Sequence, residues 1–214
     1  VDTDVDDDGD NVPPMPPDIS IPPDAPPPKR KKWYVDDVPV WTVAERVQYY
    51  DKDGRLITES LKDYTRKAVL EEFASLDDFL QNWNAADRKE AILEELEDNG
   101  VLLEALADEV GEDFDAFDLI CHVAYDRPPL TRKERAENVR KKDYFAKFGD
   151  QARAVLDALL DKYANQGIVA IEKMDVLKVQ PLTEFGTPIE IINLFGGKDE
   201  YLEALRDLET HLYA

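Results

Sequence analysis

The sequence predicts a mainly α-helical protein: a helical bundle with a small N-terminal antiparallel β-hairpin sheet, preceded by a disordered acidic, proline-rich linker. Three observations predict it. Capped segments with helical apolar spacing recur from Ser60 to the C-terminus, and strand-like runs rich in aromatic and β-branched residues are confined to residues 33–58. Residues 1–28 hold nine of the fourteen prolines and eight aspartates with no basic residue, so they cannot bury enough apolar surface to offset the entropy lost on ordering.

We therefore divide the chain into four parts. Residues 1–32 are the predicted linker, residues 33–58 the β-hairpin region, residues 59–126 an acidic helical subdomain and residues 127–214 a C-terminal helical subdomain. The chain begins with Val1 rather than methionine, within the linker, which we interpret as the start of a fragment of a larger protein.

The β region is predicted to contain two hairpins. The first joins residues 33–35 to residues 38–43 across two aspartates. The second joins residues 47–50 to residues 55–57 across Asp51-Lys52-Asp53-Gly54, the strongest short turn signal in the chain. A sheet this small is marginal alone, so we expect a helix to pack against it.

Serine residues predict the first two helix starts. Ser60 opens a segment that runs to residue 74, with Leu61, Tyr64, Ala68 and Leu70 expected on or near one face. Ser75 precedes two aspartates and opens the next helix, because a serine oxygen can accept a hydrogen bond from the free N–H groups of the first turn. Further helices are predicted over residues 85–99, 102–110 and 114–125, and the bundle is then interrupted by Asp126-Arg127-Pro128-Pro129.

The C-terminal part contains the clearest capping signals. Thr131 is predicted to cap a basic helix over residues 132–142, and a broad apolar stripe marks another helix over residues 151–164. Thr187-Pro188-Ile189-Glu190 has the form of a capping box with proline at the first helical position, and Gly196-Gly197 ends that helix. The two last helices supply a predicted docking surface, formed by Ile189, Ile192, Phe195, Leu202, Leu205, Leu208 and Leu212.

The charge is large and uneven. The net charge is −22, from 48 acidic and 26 basic residues, which argues against autonomous DNA binding. Residues 71–126 carry eighteen acids and two bases, whereas residues 127–147 carry eight bases and three acids. Our first interpretation is that the basic segment packs against the acidic part of the same fold. A second reading is contact with a phosphate backbone through Arg132, Lys133, Arg135, Arg140, Lys141 and Lys142.

No residue pattern predicts a catalytic, cofactor-binding or metal site. Cys121-His122 lies in an apolar run that suits a buried helix face, and His211 lies near the C-terminal end of a helix, where its charge would be favourable. Gly196-Gly197-Lys198 lacks the remainder of a phosphate-binding loop. One cysteine is consistent with a reducing cytoplasm, and neither a signal peptide nor an apolar run of about 20 residues is evident.

Three long stretches resemble a known family. FGTPIEIINLFGGKDEYLEAL (residues 185–205) and LTRKERAENVRKKDYFAKFGDQARAVLDALLDKYANQGI (residues 130–168) resemble the C-terminal domain of the restriction (motor) subunit of type I restriction–modification enzymes, of the EcoEI R type. Residues 43–100 look like the region that joins the helicase core of such a subunit to that domain.

This resemblance implies a function without chemistry of its own. In the family, the whole subunit translocates and cleaves DNA with ATP and Mg²⁺, and its C-terminal domain is thought to attach the motor to the methyltransferase and specificity subunits. The nuclease and motor domains have no counterpart in this sequence. The resemblance therefore implies a non-catalytic docking domain in a prokaryotic cytoplasm; the alternatives are a module that guides DNA with its basic segment and, more remotely, a small hydrolase.

Overall fold

The computed structural model describes residues 30–35, 38–43, 46–50 and 52–214 of the chain. Of the predicted linker, only residues 30–32 are among them, and they form the start of the first strand. The two aspartates of the first predicted hairpin turn lie outside the described residues.

Four antiparallel strands form one sheet in the order β1-β2-β3-β4. Arg30 of β1 pairs with Val43 of β2, and Arg46 of β3 pairs with Ser60 of β4, as the two predicted hairpins require. The middle strands also pair with each other. The ring of Tyr49 lies 5.4 Å from that of Tyr64 on the following helix, so a helix packs against the sheet as expected. The strands are β1 (Arg30–Val35), β2 (Val38–Val43), β3 (Arg46–Tyr50) and β4 (Leu56–Ser60).

Helices α1 (Leu61–Glu72) and α2 (Leu76–Ala85) begin at the predicted serine caps. The Ser60 hydroxyl accepts a hydrogen bond from the Asp63 N–H at 3.0 Å, and Ser75 accepts one from the Asp78 N–H at 3.2 Å. The predicted inward face of α1 was wrong at one position, because Val69 is fully buried there while Leu70 is 37% exposed.

Three further helices complete the acidic part: α3 (Lys89–Asp98), α4 (Leu103–Val110) and α5 (Ala116–Tyr125). The predicted helix over residues 85–99 is in fact shared between the end of α2 and α3, with a short connection between them. Helix α5 is buried along most of its length and lies at the centre of the bundle. It ends at Asp126, whose left-handed backbone (φ 54°) turns the chain into the predicted proline break.

The basic segment forms α6 (Arg132–Arg140) and a 3₁₀ turn, and is followed by α7 (Asp150–Gln166). Thr131 and Glu134 make a complete capping box at the start of α6. The residues of α7 with no exposed surface are Val155, Leu156, Leu159, Leu160 and Tyr163. None of the helices in the described part of the chain combines the length and the apolar character that crossing a membrane would require.

A compact segment of short turns, which the sequence did not predict, follows α7. It consists of α8 (Val169–Glu172) and 3₁₀ turns at Met174–Lys178 and Leu182–Phe185. Leu177 and Leu182 have no exposed surface, so each turn is held by a buried leucine. Such short turns leave no helical periodicity in the sequence, which is why they were missed.

The chain closes with α9 (Pro188–Asn193) and α10 (Lys198–Leu212). The predicted capping box of α9 is present: the Thr187 side chain and the Glu190 carboxylate bond to each other's backbone N–H groups, and proline stands at the first helical position. The double glycine has positive φ at both residues and separates the two helices, as predicted.

The core is one continuous cluster of buried side chains that includes residues from every helix. At its centre the Phe117 ring stacks near three others, with centroid distances of 5.7 Å to Phe79, 5.2 Å to Trp83 and 4.6 Å to Tyr213. Because Tyr213 comes from the C-terminal subdomain and the other three from the acidic one, this aromatic cluster crosses the predicted boundary at residue 126. The boundaries themselves stay a prediction.

Candidate docking surface and buried charge network

The segment from Leu177 to Ile191 is anchored on its inward side. Leu177, Leu182 and Ile191 have no exposed surface. The carboxylate of Glu190 accepts hydrogen bonds from both the N–H and the hydroxyl of Thr187 at 2.8 Å, which fixes the start of α9. Side chains on the opposite side of this segment are therefore presented from a fixed backbone.

Two of the exposed side chains in this segment are large and apolar. Ile189 is the most exposed large apolar side chain in the described part of the chain, at 72%, and Val179 is 45% exposed. Ile192, one helical turn after Ile189, is half-buried, as are Phe195 and Leu202. We call these five residues the C-terminal apolar surface. Four of them, all but Val179, belong to the predicted docking set.

Two aromatic contacts hold the far end of this surface. The Phe195 ring lies 6.0 Å from that of Phe148 and 5.3 Å from that of Tyr201, edge to face in both cases. Tyr201 is itself buried. Phe195 is thus fixed by α10 and by the residues before α7, although part of its surface remains accessible.

The other three predicted docking leucines lie in the core. Leu205 is 5% exposed, Leu208 is fully buried and Leu212 is 2% exposed. They form the inward stripe of α10, so they cannot meet a partner while the chain is folded. The placement of these three on a docking surface needs correction, since the apolar period of a helix does not say whether the stripe faces the same chain or another one.

Removing the cap of α9 is expected to cost modest stability. In Thr187→Ala the Glu190 N–H loses its acceptor, so the free energy of unfolding should fall by about 1 kcal/mol. Urea denaturation measures this change. Thr183→Ala, at an exposed position in the preceding turn, is the matched control and should leave the midpoint in place. An unchanged midpoint in Thr187→Ala would show that the cap does not hold the segment.

The arginines predicted to contact phosphate are occupied within the fold. Arg135 is buried and donates two hydrogen bonds to the Asp118 carboxylate and one to the Leu212 carbonyl. Arg140 forms ion pairs with Glu137, Asp157 and Asp161, and Arg132 donates to the carbonyls of Phe114 and Ala164. Their guanidinium groups are therefore committed to helix packing.

The lysines of the same segment are exposed. Lys142 donates to the carbonyl of His211, and Lys133 and Lys141 also have exposed side chains. Of the residues predicted to contact phosphate, these three lysines remain accessible to it. The contact itself stays a prediction. Intramolecular docking is observed for this segment, but through specific ion pairs with α5 and α7 rather than through the net charge of the acidic part.

A buried polar network joins α5, α6 and the C-terminal residues. The Tyr213 hydroxyl donates to the Asp115 carboxylate at 2.7 Å, and Arg135 stacks over the rings of Phe117 and Tyr213. Burial raises the pKa of Asp115 and raises that of Tyr213 well above its ordinary value. Sequence patterns did not reveal this network, because its members are up to 98 residues apart.

Of the pair predicted on a buried helix face, Cys121 is buried and His122 is half-buried. Cys121 is buried in α5, and burial raises the pKa of its thiol to about 12, so the thiol holds its proton at neutral pH. Nδ1 of His122 lies 3.0 Å from the Arg127 carbonyl. Across the described residues, no group of three or more His, Cys, Asp and Glu side chains is arranged to hold a metal ion.

Comparison with known proteins gave one family and one close relative. The family model described as EcoEI R protein C-terminal matches residues 59–213. The chain is 53% identical over 213 residues to the type I restriction enzyme EcoAI endonuclease subunit of Escherichia coli. The alignment covers 96% of this chain and 26% of that protein, so the chain spans about a quarter of the length of its relative. No solved structure matches the chain.

Proposed function

Since this chain belongs to the EcoEI R protein C-terminal family of type I restriction enzyme subunits, we propose that it attaches the restriction (motor) subunit to the methyltransferase and specificity subunits. Type I restriction enzymes are complexes of several subunits, so the other subunits are available as binding partners for a region of one subunit. The methyltransferase is the partner that we propose for direct contact.

The observation that carries this proposal is the C-terminal apolar surface. Ile189 is 72% exposed and Val179 is 45% exposed, so these two side chains leave apolar surface in contact with water that a partner could cover. Apolar side chains on an anchored backbone lose little entropy on binding, so their burial against a partner can contribute to affinity. Exposed apolar side chains on an anchored segment, in a member of this family, support a role in assembly.

The proposed function is non-catalytic. The ATP and Mg²⁺ chemistry that the family implies for the whole subunit is assigned, in this proposal, to the parts of the subunit that have no counterpart in this chain. The chain would act on DNA only indirectly, through the assembled complex. The apolar contact would hold the moving motor to the methyltransferase while other segments change position.

Ile189→Asp is expected to weaken binding of this chain to the purified methyltransferase–specificity core by about thirtyfold, as for loss of an interface hot spot of about 2 kcal/mol. The physical reason is that the new carboxylate must be desolvated on docking. Titration calorimetry or surface plasmon resonance measures the dissociation constant. Leu70→Asp is the matched control, because Leu70 is an exposed leucine on α1.

The outcomes separate two claims. If the unaltered chain does not bind the methyltransferase–specificity core at all, the proposed function is wrong. If it binds and Ile189→Asp binds equally well, docking is correct but uses another surface. Circular dichroism of both variants must match that of the unaltered chain, because only then does a change in affinity report on the surface.

A further inference from the structure

Three charged side chains meet in the interior between α3, α8 and α10. Lys89 begins α3, Glu172 ends α8 and Glu209 lies on α10. The side chains of Lys89 and Glu209 are only 5% and 6% exposed, and the Lys89 Nζ lies 3.8 Å from a Glu209 carboxylate oxygen. The ammonium also donates to the Ala86 carbonyl at 3.0 Å.

Glu172 caps α3 from another part of the chain. Its carboxylate accepts hydrogen bonds from the backbone N–H groups of Lys89 and of Glu90, the latter at 3.1 Å. The residue at the N-cap of α3, Arg88, makes no capping hydrogen bond with its own side chain. The Glu172 carboxylate thus supplies the acceptor that the first turn of α3 needs, and its negative charge is favourable at a helix N-terminus.

The cluster holds one buried ammonium and two carboxylates, of which that of Glu209 is buried and that of Glu172 is half-buried. Two carboxylates, Glu172 and Glu209, face the Lys89 ammonium, and the first of them already binds the start of α3. Burial, followed by repulsion from Glu172, raises the pKa of Glu209 to about 7, and burial also raises the pKa of Glu172. The other charged or titratable groups that face the cluster are Asp87, Arg88 and Glu90 around the start of α3, Asp115 at the start of α5, Lys173 after α8, and Tyr201 and Arg206 on α10.

The outer pairs carry one cation more than anions, but the side chains of all three cations are more than half exposed, so water screens them and they offset the excess only weakly. Arg206 attracts Glu209, but it also pairs at the surface with Asp87 at 3.2 Å. Lys173 pairs with Glu90 at 2.6 Å, and Arg88 pairs with the same carboxylate. A proton on Glu209 removes the negative charge that these screened cations compensate poorly, since an uncompensated carboxylate in the interior is strongly destabilising.

We propose that Lys89, Glu172 and Glu209 form a proton-linked clasp, closed while Glu209 holds a proton, that fastens the start of α3 to α8 and α10. In the folded chain Glu209 holds its proton at a higher pH than in the unfolded chain. The contribution of the clasp to stability is therefore fully present at acidic pH. It is lost as pH rises from the ordinary glutamate range to about 7, and does not change above that.

The clasp predicts a pH-dependent opening at one place in the fold. In the 214-residue chain, the protection of the Lys89 and Glu90 amides against hydrogen exchange, corrected for the intrinsic pH dependence of exchange, should fall by about tenfold from about pH 6 to about pH 8. Glu209→Gln keeps the size of the side chain and removes its titration, so its protection should not vary over this range. Glu203→Gln, at an exposed position on the same helix, is the control and should behave as the unaltered chain does.

A direct measurement on the unaltered chain completes the test, independently of how the variants fold. The ¹³C resonance of the Glu209 carboxyl should titrate near pH 7, well above the exposed glutamates. Titration of Glu209 in the ordinary glutamate range would overturn the proposal, as would the same pH dependence of amide protection in Glu209→Gln and in the unaltered chain. Neither measurement involves a partner subunit, so failure here leaves the proposed docking function untouched.

Discussion

Arg135→Met is expected to lower the free energy of unfolding by about 3–5 kcal/mol, because it leaves a buried carboxylate without its partner. In the folded chain Arg135 donates to both oxygens of Asp118, one of them at 2.9 Å, and to the carbonyl of Leu212. Its guanidinium also lies 4.9 Å from the centre of the Phe117 ring. Methionine fills much of the same volume but can satisfy none of these acceptors. Urea denaturation followed by circular dichroism measures the change.

A matched variant on the same helix separates buried from exposed ion pairs. Arg140 has three acidic partners, but their side chains are more than half exposed, so Arg140→Met should cost about 1 kcal/mol or less. Arg135→Met combined with Asp118→Asn should recover part of the lost stability, because the neutral amide needs no cation and can still accept from the Leu130 N–H. Equal effects of Arg135→Met and Arg140→Met would contradict the structural role given to Arg135.

Leu208→Asp is expected to prevent folding at room temperature. Leu208 has no exposed surface, so the substitution removes a buried leucine, which alone costs about 2–5 kcal/mol, and adds a carboxylate that cannot be hydrated. The total is comparable with the whole stability of a domain. Circular dichroism should show loss of the helical signal, and the thermal transition should disappear.

Two comparison variants give this result its meaning. Leu205→Asp, on the same inward stripe of α10, should behave in the same way. Ile189→Asp, which adds the same charge at an exposed position, should retain the helical signal and the transition. A folded Leu208→Asp variant that had lost only partner binding would restore the leucine stripe of α10 to the docking surface, where the sequence alone had placed it.

The starts of four helices in this fold follow from short-range rules. Ser60, Ser75, Thr131 and Thr187 each accept a hydrogen bond from the backbone N–H three residues later. The donor and the acceptor of such a cap lie within four consecutive residues, so the cap can be predicted from the sequence. The break after α5 is equally local, since consecutive prolines cannot continue a helix.

The segment between α7 and α9 was not predictable in this way. Its 3₁₀ turns are too short to show a period, and they persist because Leu177 and Leu182 are buried among residues from other elements. The cap that Glu172 provides to α3 was also missed. Its two hydrogen bonds join residues more than eighty positions apart, and no local pattern marks them.

The sequence by itself determined that the chain is mainly helical, where most helices begin, and which family it resembles, because these depend on neighbouring residues or on long matching stretches. Only the tertiary structure decided which apolar residues remain available. It buried Leu205, Leu208 and Leu212 and left Ile189 exposed. It also placed Arg135 in the interior, where its guanidinium binds Asp118 and the Leu212 carbonyl instead of a phosphate. A periodic stripe states only that a helix has an apolar face; what covers that face depends on contacts between distant parts of the chain.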